Sequence, residues 1–249
     1  MSNNRPEPKR VARERLAEER AQQEAAEKTK ERTLRLVVIG VVVILVVGIA
    51  ALVFWQQNKP VSGAAFPDGA DSKTGAISVG KGPVEVEFFE DFQCPACAAF
   101  EDRVGDTVNE LVADDSMTAV YYPLTFLDAS LGNDSSLRAA SASGCAADAG
   151  AFPKYHATVY ANQPEKEGEG FTDAQLLQFG KDAGITGDAY TTFETCVENV
   201  TYRDWTQVVE KSQASRNVTS TPTVYVDGKE LPREEYTAEG LKKAVENAS

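Results

Sequence analysis

The chain has 249 residues, 42% of them hydrophobic, enough to bury a core without covalent staples, so its four cysteines need another reason than rescuing a small fold. The net charge of −13 is uneven: residues 1–35 hold ten Lys/Arg against seven Asp/Glu, a net of +3, and the remainder carries a net of −16. A domain that acidic repels phosphate backbones, which argues against nucleic acid as a partner.

Residues 9–32 are dense in Arg, Glu, Ala, Gln and Lys and read as a solvated helix or tail. From Leu36 to Trp55 the sequence runs LVVIGVVVILVVGIAALVFW without a charge. A helix of that length spans roughly 30 Å, the thickness of a hydrocarbon core. Arg32 and Arg35 flank its start and Phe54-Trp55 its end. By the positive-inside rule residues 1–35 are expected in the cytoplasm and the rest outside the cell membrane, which this single helix crosses. A cleaved signal peptide, the competing reading, carries a shorter apolar region. Residues 56–76 are rich in Gly, Ala, Pro and polar side chains and read as a tether.

The folded domain is expected over residues 77–249. Val84–Phe89 (VEVEFF) has strand character, and Phe100, Val104, Val108 and Leu111 then fall on one helical face. Met117–Leu124 is a second strand. Helical segments follow at 135–149, 152–162, 172–183, 189–199 and 202–216. Thr223–Val226 is a strand, Asp227-Gly228 a hairpin turn, and 237–247 a closing helix capped by Thr237. The order is that of an α/β domain with a helical insertion, about 128–200, between two sheet halves.

Cys94-Pro95-Ala96-Cys97 lies between the first strand and the first helix of this domain. Pro95 suits the first helical position. The Cys94 sulfur would then face unpaired N–H groups at the positive end of the helix, which favours a thiolate. Cys97, one turn inside, is placed to resolve a mixed disulfide formed at Cys94. Zinc would need two further ligands, and Cys145, Cys196 and the lone His156 are all distant in sequence, so neither metal nor cofactor is expected. His156 reads as a packed core residue. Outside the cytoplasm thiols tend to oxidise, so Cys145 and Cys196, which enclose about 50 residues, are expected to form a structural disulfide.

A proline at the mouth of the Thr223 strand removes a ladder donor and is tolerable as a cis proline in a tight turn. With Ser220-Thr221-Pro222-Thr223-Val224-Tyr225 joined to the CxxC in this element order, residues 76–247 resemble the thioredoxin superfamily. Within it they resemble the membrane-anchored DsbA-like thiol-disulfide oxidoreductases of Gram-positive bacteria, which the stretches FEDFQCPAC, YHATVYANQP and FETCVENVTYRDW also support. The resemblance implies a thioredoxin fold with an inserted helical subdomain, and disulfide donation to unfolded exported proteins that carry cysteines. It implies that Pro222 is a cis proline facing the CxxC and that Thr221 contacts bound peptide. It implies too a membrane reoxidase of the DsbB or vitamin K epoxide reductase type. Two features depart from the pattern. The dipeptide is Pro-Ala where the strong oxidant of the family has Pro-His. The position six before the first cysteine, where relatives often bury a proton-relaying carboxylate, is Phe88. Glu87, Glu90 and Asp91 nearby read as solvated, with Glu87 kept as the relay candidate. An exported reductase or isomerase of the same fold, and a non-catalytic tethered peptide-binding module, stay open as alternatives.

Overall fold

The computed structural model describes residues 39–49, 51 and 63–249. Residues 1–38, the remainder of the apolar run and residues 52–62 lie outside the described residues, and with them the charged segment and most of the expected tether. Residues 39–49 are helical with exposed side chains. Among the described residues no helix is long and apolar enough to cross a membrane.

The compact unit formed from Val61 onward is built on a mixed sheet. Its strands are β1 (Ile77–Gly80), β2 (Val84–Asp91), β3 (Met117–Leu124), β4 (Thr223–Val226) and β5 (Lys229–Glu230), in the order β1-β3-β2-β4-β5. β2 and β3 run parallel; the other neighbours are antiparallel. The central β2 is buried along nearly its whole length, as a strand covered on both faces must be. A parallel pair needs a crossover, and α1 (Pro95–Ala113) supplies it. Its apolar stripe, Phe100, Val104, Val108 and Leu111, is the one the spacing indicated, and all four are buried.

Between β3 and β4 lie six helices: α2 (Asp128–Leu131), α3 (Ser135–Asp148), α4 (Phe152–Ala161), α5 (Asp173–Asp182), α6 (Gly187–Glu198) and α7 (Arg203–Ser215). The small residues of α3 (SSLRAASASGCAAD) let neighbouring helices approach closely, and most of that helix is buried. Cys145 on α3 and Cys196 on α6 are joined by a disulfide. The closing helix α8 (Ala238–Ala248) is capped by Thr237, whose hydroxyl accepts from Gly240 N–H.

The expected boundary at residue 77 is too late. Pro67 is buried, Phe66 and Ala70 pack on the core, and Ala76 is buried. The small and turn-forming residues of this stretch make ordered turns. Asp71 accepts N–H bonds from Lys73 and Thr74, and Trp205 Nε1 donates to Gly75 O at 2.8 Å. Gly75 has φ +76, and a Cβ there would meet Val209 Cγ2 at 2.8 Å, so this close approach needs glycine.

Candidate active site

α1 begins where β2 ends. Cys94 is its N-cap, in extended conformation, with Pro95 at the first helical position. The carbonyl of Cys94 accepts the N–H of Cys97 and Ala98 at 3.0 and 3.2 Å, leaving its side chain free of the helix ladder. Both cysteines are unbridged; Cys94 is 7% exposed and Cys97 0%. The Thr221–Pro222 peptide bond is cis, and Thr221 O lies 3.7 Å from Cys94 Sγ, accepting from its thiol. Strand β4 starts immediately after this bend, paired with β2, so the turn is held beside the CxxC by the sheet itself.

The loop between β2 and α1 is tied to the helical insertion. Asp91, fully buried, accepts from Gln93 N–H (2.8 Å), Ser136 Oγ (2.7 Å) and Leu127 N–H (2.9 Å). Gln93 Nε2 donates to Asp128, Asn133 and Ser136. Gln163, just past α4, donates to the carbonyls of Phe92 and Cys94 at 2.8 and 3.0 Å. These side chains were missed as site residues. Their polar types carry no sign that they converge on one loop from positions up to 71 residues away.

The carboxylate reading needs correction. Glu87, Glu90 and Asp91 are all buried, not solvated. Glu87 also faces the wrong side. Residues alternate faces along a strand, and Glu87 points with Phe89 toward the end of α7, where it accepts from Arg216 (2.6 Å) and Tyr122 (3.1 Å). Glu90 shares the opposite face with Phe88, which packs against Phe100 of α1. Its Oε2 lies 3.2 Å from His156 Nε2, and His156 Nδ1 lies 3.8 Å from Glu101 Oε2. His156 is buried among the rings of Phe92, Tyr121, Phe152 and Tyr160. It is packed as read, but it sits between two acids beneath the CxxC. Glu101, His156, Tyr121 and Tyr160 line a cavity of about 520 Å³ between α1 and α4.

The electrostatics separate the two cysteines. The Cys97 thiol holds Cys94 down at about 6, and Thr221 and the N–H groups of Cys97 and Ala96 add to the effect against the opposing pull of burial. The helix-end N–H groups favour the thiolate as expected, behind the Cys97 and Thr221 bonds. Burial, the hydrogen bond to Cys94 and the nearby Glu90 push Cys97 well above the ordinary thiol range. Burial first, then the charge of Cys94, pushes Glu90 up to about 8; burial and Glu90 do the same for Glu101. Burial lowers His156, so the imidazole is neutral. One sulfur is thus ionised near neutrality, and the other is protonated next to carboxyl groups that hold their protons.

A thioredoxin family model (Thioredoxin_4) matches residues 73–247. The chain is 26% identical over 214 residues to a probable disulfide bond formation protein D from Bacillus cereus, covering 84% of this chain and 93% of that protein. Among solved structures it is similar to the disulfide bond oxidoreductase DsbG from Mycobacterium tuberculosis in its reduced form: 31% identity, TM-score 0.58, 72% of this chain and 85% of that one. It is similar also to oxidised DsbA of the same organism, at 30% identity and TM-score 0.53, covering 70% of this chain and 100% of that one.

Proposed function

The chain belongs to the thioredoxin family, in its branch of DsbA-like disulfide oxidoreductases, and from that membership we propose that it donates the Cys94–Cys97 disulfide to exported proteins outside the cytoplasm. The observation that carries this reading is the asymmetry of the pair, with Cys94 held at about 6 beside the Thr221–Pro222 bend and Cys97 buried and held protonated. A substrate thiolate attacks Cys94 Sγ of the oxidised pair. The Cys94–Cys97 bond breaks, a mixed disulfide forms at Cys94, and the electron pair leaves with Cys97, which takes up a proton. A second substrate thiolate attacks the substrate sulfur of the mixed disulfide and releases Cys94 as its stable thiolate. Two electrons pass from substrate to enzyme.

The proton is the role for Glu90. Its carboxyl raises the Cys97 thiol and is itself pushed up to about 8. It is therefore protonated at neutral pH and near the leaving sulfur, as a general acid must be. Glu90 replaces Glu87 in this role. The backbone of Thr221, at the bend beside Cys94, offers an extended peptide its contacts.

A thiol held at about 6, against the ordinary 9.0, stabilises the reduced form. At pH 7 this is worth at most about 1.4 kcal/mol before solvent screening, or about 30 mV toward oxidising power. That direction favours donation over the exported reductase. Donation is stoichiometric without a reoxidase, and a quinone-linked membrane partner of the DsbB or vitamin K epoxide reductase type would restore the disulfide. The apolar run 36–55 serves as the anchor; its charged cytoplasmic flank and the exposed apolar side chains of the 39–49 helix support that reading.

The test is anaerobic mixing of the oxidised full-length chain with a reduced, cysteine-containing substrate. Transfer of one disulfide per chain is expected, and a Cys94→Ala chain should transfer none. No transfer from the wild-type chain would end the donor reading, and full complementation by Cys94→Ala would favour the binding module instead.

A further inference from the structure

We propose that Glu90, Glu101 and His156 form a binding site for a divalent transition-metal ion, with Zn²⁺ the best-fitting cation, behind the cavity between α1 and α4. One donor atom of each residue lies within 4.8 Å of the other two. The set is an imidazole and two carboxylates, a chemistry that suits zinc and leaves a fourth tetrahedral position for water. Its charge balances: two carboxylates and a divalent ion sum to zero, the condition under which buried charge is tolerated. The group the two acids share is His156, in the neutral ring form that ligates metals.

A second observation points to a missing ligand. Glu90 is 2% exposed, its Oε1 meets no N–H or O–H donor, and its carboxyl lies against that of Glu101. Two buried carboxyls in contact need a shared proton, and a coordinated cation would take that proton's place and satisfy the open oxygen. There is also a route in. The cavity of about 520 Å³ is lined by Glu101 and His156, with Asp102 and Asp106, both exposed, on adjoining turns of α1. Four acidic and imidazole groups along one opening draw a cation inward. The site is separate from the Cys94–Cys97 pair as a ligand set, and it does not depend on the redox reading. Metal and proton are alternative occupants of the Glu90 carboxyl.

The experiment uses the full-length chain in detergent with both cysteine pairs oxidised, so that no thiol competes for the ion. Equilibrium dialysis against Zn²⁺ should load one ion per chain. Glu101→Gln and His156→Gln should each weaken binding by more than about 10-fold, since even an outer partner of a metal ligand costs that much. Absence of stoichiometric binding, or unchanged affinity in both variants, would overturn the proposal. Because His156 is packed among aromatic rings, a variant could fail to fold, so zinc-edge X-ray absorption on the wild-type chain is the second measurement. A first shell of one imidazole nitrogen with oxygens is expected. A shell containing sulfur, or lacking imidazole, would overturn the proposal.

Discussion

Glu87 and Glu90 stand three residues apart on one strand, both almost wholly buried, and their surroundings send them to different tasks. Glu87 meets Arg216 and Tyr122 on the α7 face. Glu90 meets a neutral histidine and a second acid on the α1 face, next to the cysteines. Burial raises both carboxyls, but for Glu87 the guanidinium and the tyrosine hydroxyl pull back, while Glu90 also has the charge of Cys94 against it. The difference teaches that depth alone does not make a carboxyl a proton carrier. A cation within reach fixes it as an ion-pair partner; its absence, with a thiolate nearby, leaves it holding a proton.

Substitutions can break this comparison. The baseline is Cys94→Ser, which should abolish disulfide transfer altogether; residual transfer in the anaerobic assay would mean that neither glutamate serves the chemistry assigned to the pair. Glu90→Gln should then slow formation of the mixed disulfide by about 100-fold, the low end of general acid–base catalysis, and flatten its pH dependence. Glu87→Gln should leave that rate and its pH profile unchanged, and stopped-flow fluorescence of the two variants side by side decides the matter. If both variants slow alike, the assignment by strand face fails.

Two further outcomes concern stability. Cys145→Ser with Cys196→Ser should cost about 4 kcal/mol in urea unfolding, the loop-closure value for a segment of about 50 residues, with transfer retained. Glu87→Gln should cost about 1–2 kcal/mol, because Arg216 is 40% exposed and turns to water when its partner is lost. The pH dependence sharpens the contrast. Glu90 and Glu101 are raised from 4.5 to about 8, so the folded state keeps protons that the unfolded chain releases. The stability they contribute is full below about 4.5 and is lost as pH rises through about 8. Urea midpoints should therefore fall between pH 5 and pH 9, with a shallower fall in Glu101→Gln. Cys94 works the other way in the reduced protein. Its stabilisation is present above 9.0 and lost as pH falls through about 6, so the reduced form should gain on the oxidised form between those values.

Much of the domain could be read without coordinates because local rules carried it. The strand-forming run of β2, the stripe of α1, the Pro95 helix start, the bend at Pro222 and the hairpin at Asp227-Gly228 each rest on neighbours in the chain. The acid cluster could not be read that way. In a chain with 38 acidic residues a glutamate beside a motif looks solvated, and only the register of β2 against β3 and the packing of α4 bury Glu90 against His156, 66 residues away. Glu87 was misplaced by the parity of a strand: one residue along, the side chain changes face. Composition also misjudged residues 66–76, where turn-forming side chains serve an ordered edge.

The central claim is that one sulfur of the pair is ionised near neutral pH. Site-resolved alkylation of the reduced full-length chain, followed by mass spectrometry across pH, measures it directly. The account predicts that Cys94 reacts with a midpoint near 6 while Cys97 stays unmodified. A midpoint at Cys94 near the roughly 8.5 of a free thiol would contradict it.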